Sequence, residues 1–242
     1  MAIHRIYLDD PAALAPGALE IGGEEARHAV RVKRLEPGNP IEVLDGAGRV
    51  GLATIADIDK PGGEWLLSLV VGEVRPVEPT RPRLDVLCPA PKGPRLSELI
   101  DGLSQAGAAS WSALTTEHTA REPGEVRLDR VRRIAAEASK QCGRAWTLLI
   151  GEPVEASDVL AQVWARQALV MADASGGPYA PCGSEAITLM IGPEGGWSAR
   201  ELDGARAAGI AIARFGPHTM RVETAAVAAV AVILDLEARR GS

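Results

Sequence analysis

A short apolar strand that ends in a glycine-rich loop is the feature of this sequence best suited to binding a ligand. Residues 187–201 read ITLMIGPEGGWSARE, so a β-type run ends at Gly192 and a helix start follows. Ser198, with Glu201 three residues later, has the capping-box spacing of a helix N-terminus. At such a junction, unpaired backbone N–H groups face the crevice where open α/β sheets bind ligands. An ordinary turn, whose glycines serve geometry alone, is an equally good explanation of this one loop.

A second loop has the same design. Residues 215–226, FGPHTMRVETAA, follow a short apolar strand and lead into a helix near Arg221. Glu223 falls in the first turn, where a carboxylate complements the positive helix end. Arg221 is therefore a candidate for a charged group held at a site. The alternative is a local Arg221–Glu223 salt bridge, which contributes little if it is exposed.

A third loop follows the predicted strand ALVMADA, residues 168–174, and supplies Asp173, Ser175, Gly176 and Gly177. Three glycine-bearing loops after three consecutive strands favour a shared ligand pocket more strongly than any one loop does.

Several common catalytic signatures are absent from the sequence or stand in the wrong context. Residues 46–51 form a literal GxGxxG, but the following LATIADI alternates like a strand, so a hairpin turn at Asp45 is predicted instead. The sequence contains neither a GxxxxGK[ST] loop nor a GxSxG elbow. Its three cysteines form no CxxC pair, so neither a disulfide framework nor a metal site is predicted.

Basic residues concentrate in two stretches, although the formal net charge is -6, which speaks against indiscriminate nucleic-acid binding. One is EARHAVRVKR, residues 25–34, whose charges lie near one face if it is helical. The other spans Arg121 to Arg144. Both stretches could hold phosphates, and both could be merely solvated helix faces. Cys142 could be a nucleophile, with a buried inert cysteine as the alternative.

Composition and element spacing predict two domains. With 242 residues, of which 46% are hydrophobic, the chain can bury a core and is not disordered. Residues 1–72 have the short alternating segments of a small β module, and residues 73–83, with three prolines at every third position, predict an extended connector. Residues 84–242 alternate strands with helices, as α/β domains do.

The longest apolar run is too short to span a bilayer, and the N-terminus has no export signal. A soluble cytoplasmic protein is therefore expected. The final helix, predicted over 222–239, is apolar nearly all round and must be buried on more than one side, in a core or against a second subunit.

Several segments together resemble one enzyme family. They are IGPEGGWSARE, MRVETAA, SKQCGR (139–144), and the N-terminal HRIY with EARHAVRVKR. Their order over almost the whole chain resembles the RsmE-type family, SPOUT-class enzymes that methylate N3 of a uridine in 16S ribosomal RNA with S-adenosylmethionine. The resemblance implies an α/β fold in which a PUA-like β-barrel precedes a SPOUT-type domain with a C-terminal trefoil knot.

The resemblance also implies a site. The cofactor would lie among three knot loops, here 172–177, 191–196 and 215–225. The expected cofactor-binding residues are Ala172, Asp173, Ile191, Gly192, Pro193, Glu194, Gly195, Gly196, Phe215, Gly216, Met220, Arg221, Thr224 and Ala225. Arg221 is expected to favour the uridine anion, and Glu223 or Glu194 to orient Arg221 or accept the N3 proton. The expected RNA-binding residues are Arg5, His28, Arg31, Arg34, Lys92, Arg95 and Arg144.

Family resemblance further implies a homodimer acting on 16S ribosomal RNA or the assembled small subunit, with no metal and no membrane partner. The chain departs from the family pattern in two places: Gln105 stands where an acidic residue is common, and Pro94 interrupts a basic motif. Two alternatives remain open: another SPOUT reaction, such as ribose methylation, and a non-catalytic ribosome-assembly factor.

Overall fold

A computed structural model describes residues 3–8, 10–119, 126–161 and 168–240 of the chain. Part of the second basic stretch, including Arg121, lies outside the described residues. The chain divides into two compact units: Met1–Pro79 with Ser139–Thr147, and Thr80–Ala138 with Leu148–Ser242. Residues 139–147, which the sequence assigned to the C-terminal domain, thus group with the first unit.

The first unit is built on a sheet with the strand order β1-β3-β4-β5-β2. Its strands are β1 (His4–Tyr7), β2 (Gly17–Ile21), β3 (Pro40–Leu44), β4 (Arg49–Asp59) and β5 (Leu66–Pro76). β1 pairs with β3 in parallel, and the other neighbours are antiparallel. Alternate side chains point into one apolar core, which includes Ile6, Ile41, Val43, Ile55, Leu67 and Leu69. Strand β5 continues to Pro76, so it includes the beginning of the predicted connector.

The GxGxxG segment is a hairpin turn, as predicted. Leu44 of β3 pairs with Val50 of β4 in antiparallel register. The buried Asp45 carboxylate accepts hydrogen bonds from the backbone N–H groups of Ala47 and Arg49, each at 2.8 Å. Burial alone would raise the pKa of this carboxyl, but its hydrogen bonds with Arg49 and Ala47 outweigh that effect and hold the pKa below its ordinary value.

The first basic stretch is helical only in part. Helix α1 (Gly23–Arg27) continues as a single π-helical segment, His28–Val32. Arg34 lies beyond the helix with φ of 56°, a left-handed conformation that is uncommon for residues other than glycine. The prediction that Arg27, His28, Arg31 and Arg34 share one helix face is therefore wrong for Arg34, which is not in the helix.

The second unit has a parallel sheet with the strand order β12-β10-β11-β6-β7-β8, which confirms the predicted α/β class. Its strands are β6 (Arg83–Cys88), β7 (Ser110–Thr115), β8 (Leu149–Ile150), β9 (Val154–Glu155), β10 (Ala168–Pro178), β11 (Ala186–Ile191) and β12 (Ala211–Arg214). β9 pairs with β7 off the main path. The residue patterns of the sequence did not predict β2, β7, β8 or β9.

Five longer helical segments accompany this sheet. They are α2 (Arg95–Ala106), α3 (Leu128–Cys142), α4 (Ala156–Ala161), α5 (Ala199–Ala207) and α6 (Val222–Arg240). The Ala-rich α6 packs against α2, where the absent Cβ of Gly102 would stand 2.7 Å from Val227 Cγ2. Ala226, Ala229, Val230 and Ile233 of α6 are fully buried. In the described part of the chain, no helix has the length and apolarity needed to cross a membrane.

Candidate ligand-binding site

The three predicted loops lie at one edge of the sheet. Strand β10 pairs in parallel with β11 and with β12, so the carboxyl ends of all three strands meet. Ala172 of β10 is in register with Ile191 of β11 and with Ala213 of β12. The chain therefore leaves three neighbouring strands at the same level.

A cavity of about 540 Å³ opens at this edge, within the size range of small-molecule sites. Each of the three loops contributes to its wall. The lining residues are Ala172–Ala174, Ile191–Glu194, Gly196, Trp197, Ala213–Val222 and Ala225. One cavity thus joins segments that are far apart in sequence.

The first of these segments is not a simple loop. Strand β10 runs on to Pro178, with a break in register between Ala172 and Gly177, so the residues between them bulge out of the strand. Gly176 packs so closely on the Ile212 carbonyl of β12 that a side chain would not fit. Asp173 Oδ1 accepts from the backbone N–H of Ser175 at 2.8 Å and from its hydroxyl at 2.6 Å. The bulge is therefore held in a defined shape beside the cavity.

The second segment is fixed by the predicted capping box at the start of α5. The Glu201 backbone N–H donates to Ser198 Oγ at 3.1 Å, and the Ser198 N–H donates to Glu201 Oε2 at 2.8 Å. The other oxygen of this buried carboxylate accepts from the Glu117 backbone N–H at 3.1 Å. Gly196, with φ of 72°, closes the turn by donating to the Pro193 carbonyl. The loop is therefore tied to the segment that follows β7.

Trp197 joins the second segment to the first. Its indole Nε1 donates to the Ala172 carbonyl at 2.9 Å, and the ring lines the cavity while remaining almost fully buried. A Cβ on Gly192 would stand 2.9 Å from Nε1 and 3.0 Å from Cε2 of this ring. Glycine is required at residue 192 because the tryptophan occupies the space.

His118 contacts the outer side of the same loop. Its Nδ1 lies 3.1 Å from the Gly196 carbonyl oxygen. A Cβ on Gly195 would stand 3.2 Å from His118 Cβ. Gly195 therefore faces His118 and is not among the residues that line the cavity.

The third segment and the strand before it present two exposed arginines to the cavity, Arg214 at the end of β12 and Arg221 just before α6. Gly216, with φ of 135°, turns the chain after β12. Arg221 is exposed at the cavity, and its carbonyl accepts from the Ala225 N–H at 2.8 Å in the first turn of α6. Glu223, in the first turn of α6, is buried, and its Oε2 has no hydrogen-bond partner. No ion pair joins these two described residues, so the local salt bridge weighed as an alternative is wrong.

Glu194 has a different partner. Its Oε1 lies 3.6 Å from Arg95 Nη1, which reaches it from the first turn of α2. Glu194 is more than half exposed and lines the cavity. Arg95, expected among the RNA-binding residues, thus pairs with a carboxylate of the second segment.

The structure brings most of the expected site residues together. Among the described residues, the expected cofactor-binding set lines the cavity except for Gly195 and the exposed Thr224. Glu223 is also outside the lining. The roles expected for all these residues stay predictions. Trp197 and His218 line the cavity but were not among the expected residues; the only signal for them was their position inside the two glycine-bearing loops.

The basic side chains of the first unit have mixed surroundings. Arg31 and Arg34 are exposed, and Arg5 Nε donates to Glu42 Oε2 at 2.9 Å. Gly143 passes directly under the Arg5 guanidinium, since a Cβ there would lie 2.5 Å from Nη1. Burial lowers the pKa of Arg144.

Two stacked imidazoles lie in the same unit, with ring centroids of His4 and His28 5.6 Å apart. Burial, followed by the nearby charges of His28, Lys33 and Lys140, lowers the pKa of His4 to about 4. His4 is therefore neutral at physiological pH.

The cysteines divide by exposure. Cys88, at the end of β6, is fully buried, and burial raises its pKa to about 12. Cys142 is exposed, so the buried state weighed for it as an alternative is wrong. Among the residues that the structure describes, no group of three or more His, Cys, Asp and Glu side chains could hold a metal ion.

The fold and cavity define a class of protein. A family model described as an RNA methyltransferase domain matches residues 78–234, and one described as an RNA methyltransferase PUA domain matches residues 21–63. Because the first match covers more than half of the chain, this protein belongs to the RNA methyltransferase family.

The names of its relatives are narrower than the family description, because they specify ribosomal RNA of the small subunit. The chain is 27% identical over 231 residues to Ribosomal RNA small subunit methyltransferase E of Synechocystis sp., covering 92% of this chain and 75% of the relative. The protein of the same name from Mycobacterium bovis is also 27% identical, covering 90% and 87%.

Two solved structures share the fold. One is a methyltransferase from Legionella pneumophila with bound S-adenosylmethionine, at TM-score 0.79 and 25% identity, covering 97% of this chain and 98% of that one. The other is Ribosomal RNA small subunit methyltransferase E from Neisseria gonorrhoeae, at TM-score 0.82 and 23% identity, with the same coverage. The expected PUA domain followed by an α/β RNA methyltransferase domain is confirmed, and the assignment of the second domain to the SPOUT class stays a prediction. The trefoil knot stays a prediction.

Proposed function

We propose that this chain is an S-adenosylmethionine-dependent methyltransferase that acts on N3 of a uridine in 16S ribosomal RNA. The observation that carries the proposal is the cavity of about 540 Å³ enclosed by three glycine-bearing segments at one sheet edge. Membership of the RNA methyltransferase family supports it, as do relatives named for the small ribosomal subunit. The similar Legionella structure contains S-adenosylmethionine.

The cavity residues fit this cofactor. Gly196, with open space at its Cβ position, and alanine at 172 and 225 leave main-chain atoms accessible for an adenosyl group. Gly192 makes room for the Trp197 ring, which forms part of the wall. Asp173 and Glu194 bring carboxylates to the wall, which suit a cationic ligand. When bound, the cofactor supplies an electrophilic methyl group on a sulfonium.

Arg221 is proposed to make the target nitrogen nucleophilic. Uridine N3 becomes a nucleophile when it loses its proton, and the negative charge then spreads to the two adjacent carbonyl oxygens. An exposed guanidinium at the cavity can donate hydrogen bonds to these oxygens and stabilise the charge as it develops.

A carboxylate of this chain is proposed to accept the N3 proton. Glu194 lines the cavity, whereas Glu223 does not, so position favours Glu194 as acceptor. Its Oε1 lies 3.6 Å from Arg95 Nη1. Glu223, buried in the first turn of α6 behind Arg221, is better placed to orient the third segment.

The basic residues are proposed to hold the RNA backbone. Arg5, His28, Arg31, Arg34 and Arg144 in the first unit, with Lys92 in the second, would contact phosphates of the RNA. Arg95, beside Glu194 at the cavity, would contact the RNA next to the target base. We further propose a homodimer in the cytoplasm that acts on 16S ribosomal RNA or the assembled small subunit.

Nucleoside analysis tests the reaction. Small ribosomal subunits that lack the modification are incubated with the protein and S-adenosylmethionine, and the digested RNA is analysed by mass spectrometry. The expected product is 3-methyluridine. A 2′-O-methylated nucleoside would indicate another reaction, and unmodified RNA despite measurable cofactor binding would contradict the proposal.

A further inference from the structure

We propose that a second cleft, in the first unit, binds an unpaired nucleotide of the RNA substrate other than the target uridine. The cleft has a volume of about 460 Å³. It is lined by Gly23, Glu24, Arg27, Arg31, Lys60, Gly63, Glu64 and Trp65. This inference rests on the proposed function, because it identifies a further contact for the same RNA.

Trp65 supplies a surface on which a base can stack. Its indole packs partly against the apolar core of the first unit, which fixes the ring, while the remaining surface lines the cleft. Lys60 Nζ lies 5.0 Å from the ring centroid, over one face of the indole. Because this exposed side chain is flexible, a base can displace it. Bases of single-stranded RNA stack on such aromatic rings regardless of sequence.

Cations surround this surface. Arg27, Arg31 and Lys60 are all exposed. Arg27 Nη1 lies 3.1 Å from Glu24 Oε1, but both side chains are largely exposed, and a pair of this kind contributes little stability. A phosphate oxygen can therefore replace Glu24 as the partner of Arg27 at small cost.

The charge balance of the cleft favours a nucleotide over a simple anion. Two carboxylates, Glu24 and Glu64, line the cleft beside the three cations. Charge alone therefore gives only weak attraction, and a ligand must also use the indole face. A base joined to a phosphate satisfies both requirements, whereas an acidic polypeptide satisfies only one.

The cleft is continuous with the proposed RNA contacts of the same unit. Arg31 belongs to both sets, and His28 lies on the same π-helical segment. An RNA strand held at Arg31 therefore lies at the mouth of the cleft.

Binding of a labelled single-stranded oligouridylate to the full chain tests this site. Trp65→Ala should weaken binding about tenfold or more, since stacking on one aromatic residue has an effect of that size, and Trp65→Phe should restore most of it. Arg27→Gln should lower the slope of log affinity against log salt by about 0.7, the value for one lost phosphate contact on a single strand. Arg75→Gln, an exposed cation of β5 outside the cleft, is the matched control and should leave the affinity within about twofold.

Steady-state methylation provides the second readout. The Trp65 and Arg27 variants should raise KM for RNA and leave both kcat and cofactor affinity unchanged. Unchanged oligouridylate binding by folded Trp65→Ala would overturn the inference, as would equal losses in Trp65→Phe and Trp65→Ala, or competition by polyglutamate as effective as by unlabelled oligouridylate. A wild-type protein that binds oligouridylate through Trp65 but transfers no methyl group would defeat the proposed function and not this site.

Discussion

Two glycine-rich segments of this chain have similar compositions and opposite surroundings. Residues 46–51 connect antiparallel strands, and protein side chains fill the space over them: Gly48 lies directly under the Trp146 ring, and a Cβ on Gly51 would stand 2.9 Å from Val71. Residues 192–196 follow a parallel strand. Trp197 occupies the Cβ side of Gly192 and His118 that of Gly195, but Gly192 and Gly196 still line a cavity.

The difference shows what turns glycines into a binding site. In the hairpin turn, the Gly48 N–H donates to the Ala145 carbonyl and the Gly46 carbonyl accepts from the Thr147 N–H. The Trp146 ring covers Gly48, so these backbone groups are already occupied. At residues 192–196 the strand has ended and the next element is a helix, so backbone groups remain available at a sheet edge. The type of strand pairing decides between the two outcomes.

The largest expected effect separates methyl transfer from cofactor binding in the cavity beside residues 192–196. Arg221→Ala should lower kcat for methylation by about 100- to 1000-fold, the usual cost of removing one donor to a developing anion. Calorimetric affinity for S-adenosylmethionine should change little. Normal turnover in this variant would exclude the role proposed for Arg221.

Gly192→Ala should damage the cavity itself. The new methyl group would overlap the Trp197 indole and displace the ring that bonds Ala172, so affinity for S-adenosylmethionine should fall about tenfold or more, with a stability loss of about 1–3 kcal/mol. The control is Gly177→Ala, where a Cβ meets no atom within 4 Å. If both variants bind the cofactor as wild type does, Trp197 does not position the cavity walls.

Gly48→Ala should have the opposite signature. The methyl group would overlap the Trp146 ring, and φ of 97° strains any side chain, so the free energy of unfolding should fall by about 2–4 kcal/mol. Gly63→Ala, at φ of 94° but with open space, isolates the backbone contribution and should lose about 1 kcal/mol. Cofactor affinity should be unchanged in both variants, and a fall in either would remove the contrast between the segments.

The smallest expected effect is a pH dependence confined to the first unit. Folding lowers the His4 pKa from 6.5 to about 4, so between these values the unfolded chain binds more protons. The stabilising contribution is therefore complete above pH 6.5 and is lost as the pH falls toward 4, by about 1 kcal/mol after screening at this half-exposed site. The free energy of unfolding, measured with denaturant, should fall less between pH 7 and pH 5 in His4→Gln than in wild type. Equal falls in both proteins would show that another group causes the pH dependence.

Sequence patterns predicted the elements whose signals are local. The capping box at Ser198 and Glu201 and the hairpin at Asp45 depend on residues within a few positions of one another, and both are present. The cavity was predicted because strands that alternate with helices align their ends at one edge.

Long-range geometry was beyond the same patterns. The bulge of β10 depends on how Gly176 packs on Ile212, and the pairing of Glu194 with Arg95 joins residues about a hundred positions apart. In the sequence, Trp197 is an apolar residue near a helix start. Its hydrogen bond to Ala172 forms because the pairing of Ala172 with Ile191 brings the ends of β10 and β11 together. Such contacts arise from the assembled sheet.

The most direct test is a crystal structure with S-adenosylmethionine. The cofactor is expected between the Ala172 bulge, the Gly192–Gly196 segment and the Phe215–Ala225 segment, with its methyl group toward Arg221. A cofactor bound elsewhere, or three segments spread apart around an empty cavity at saturating cofactor, would contradict this expectation.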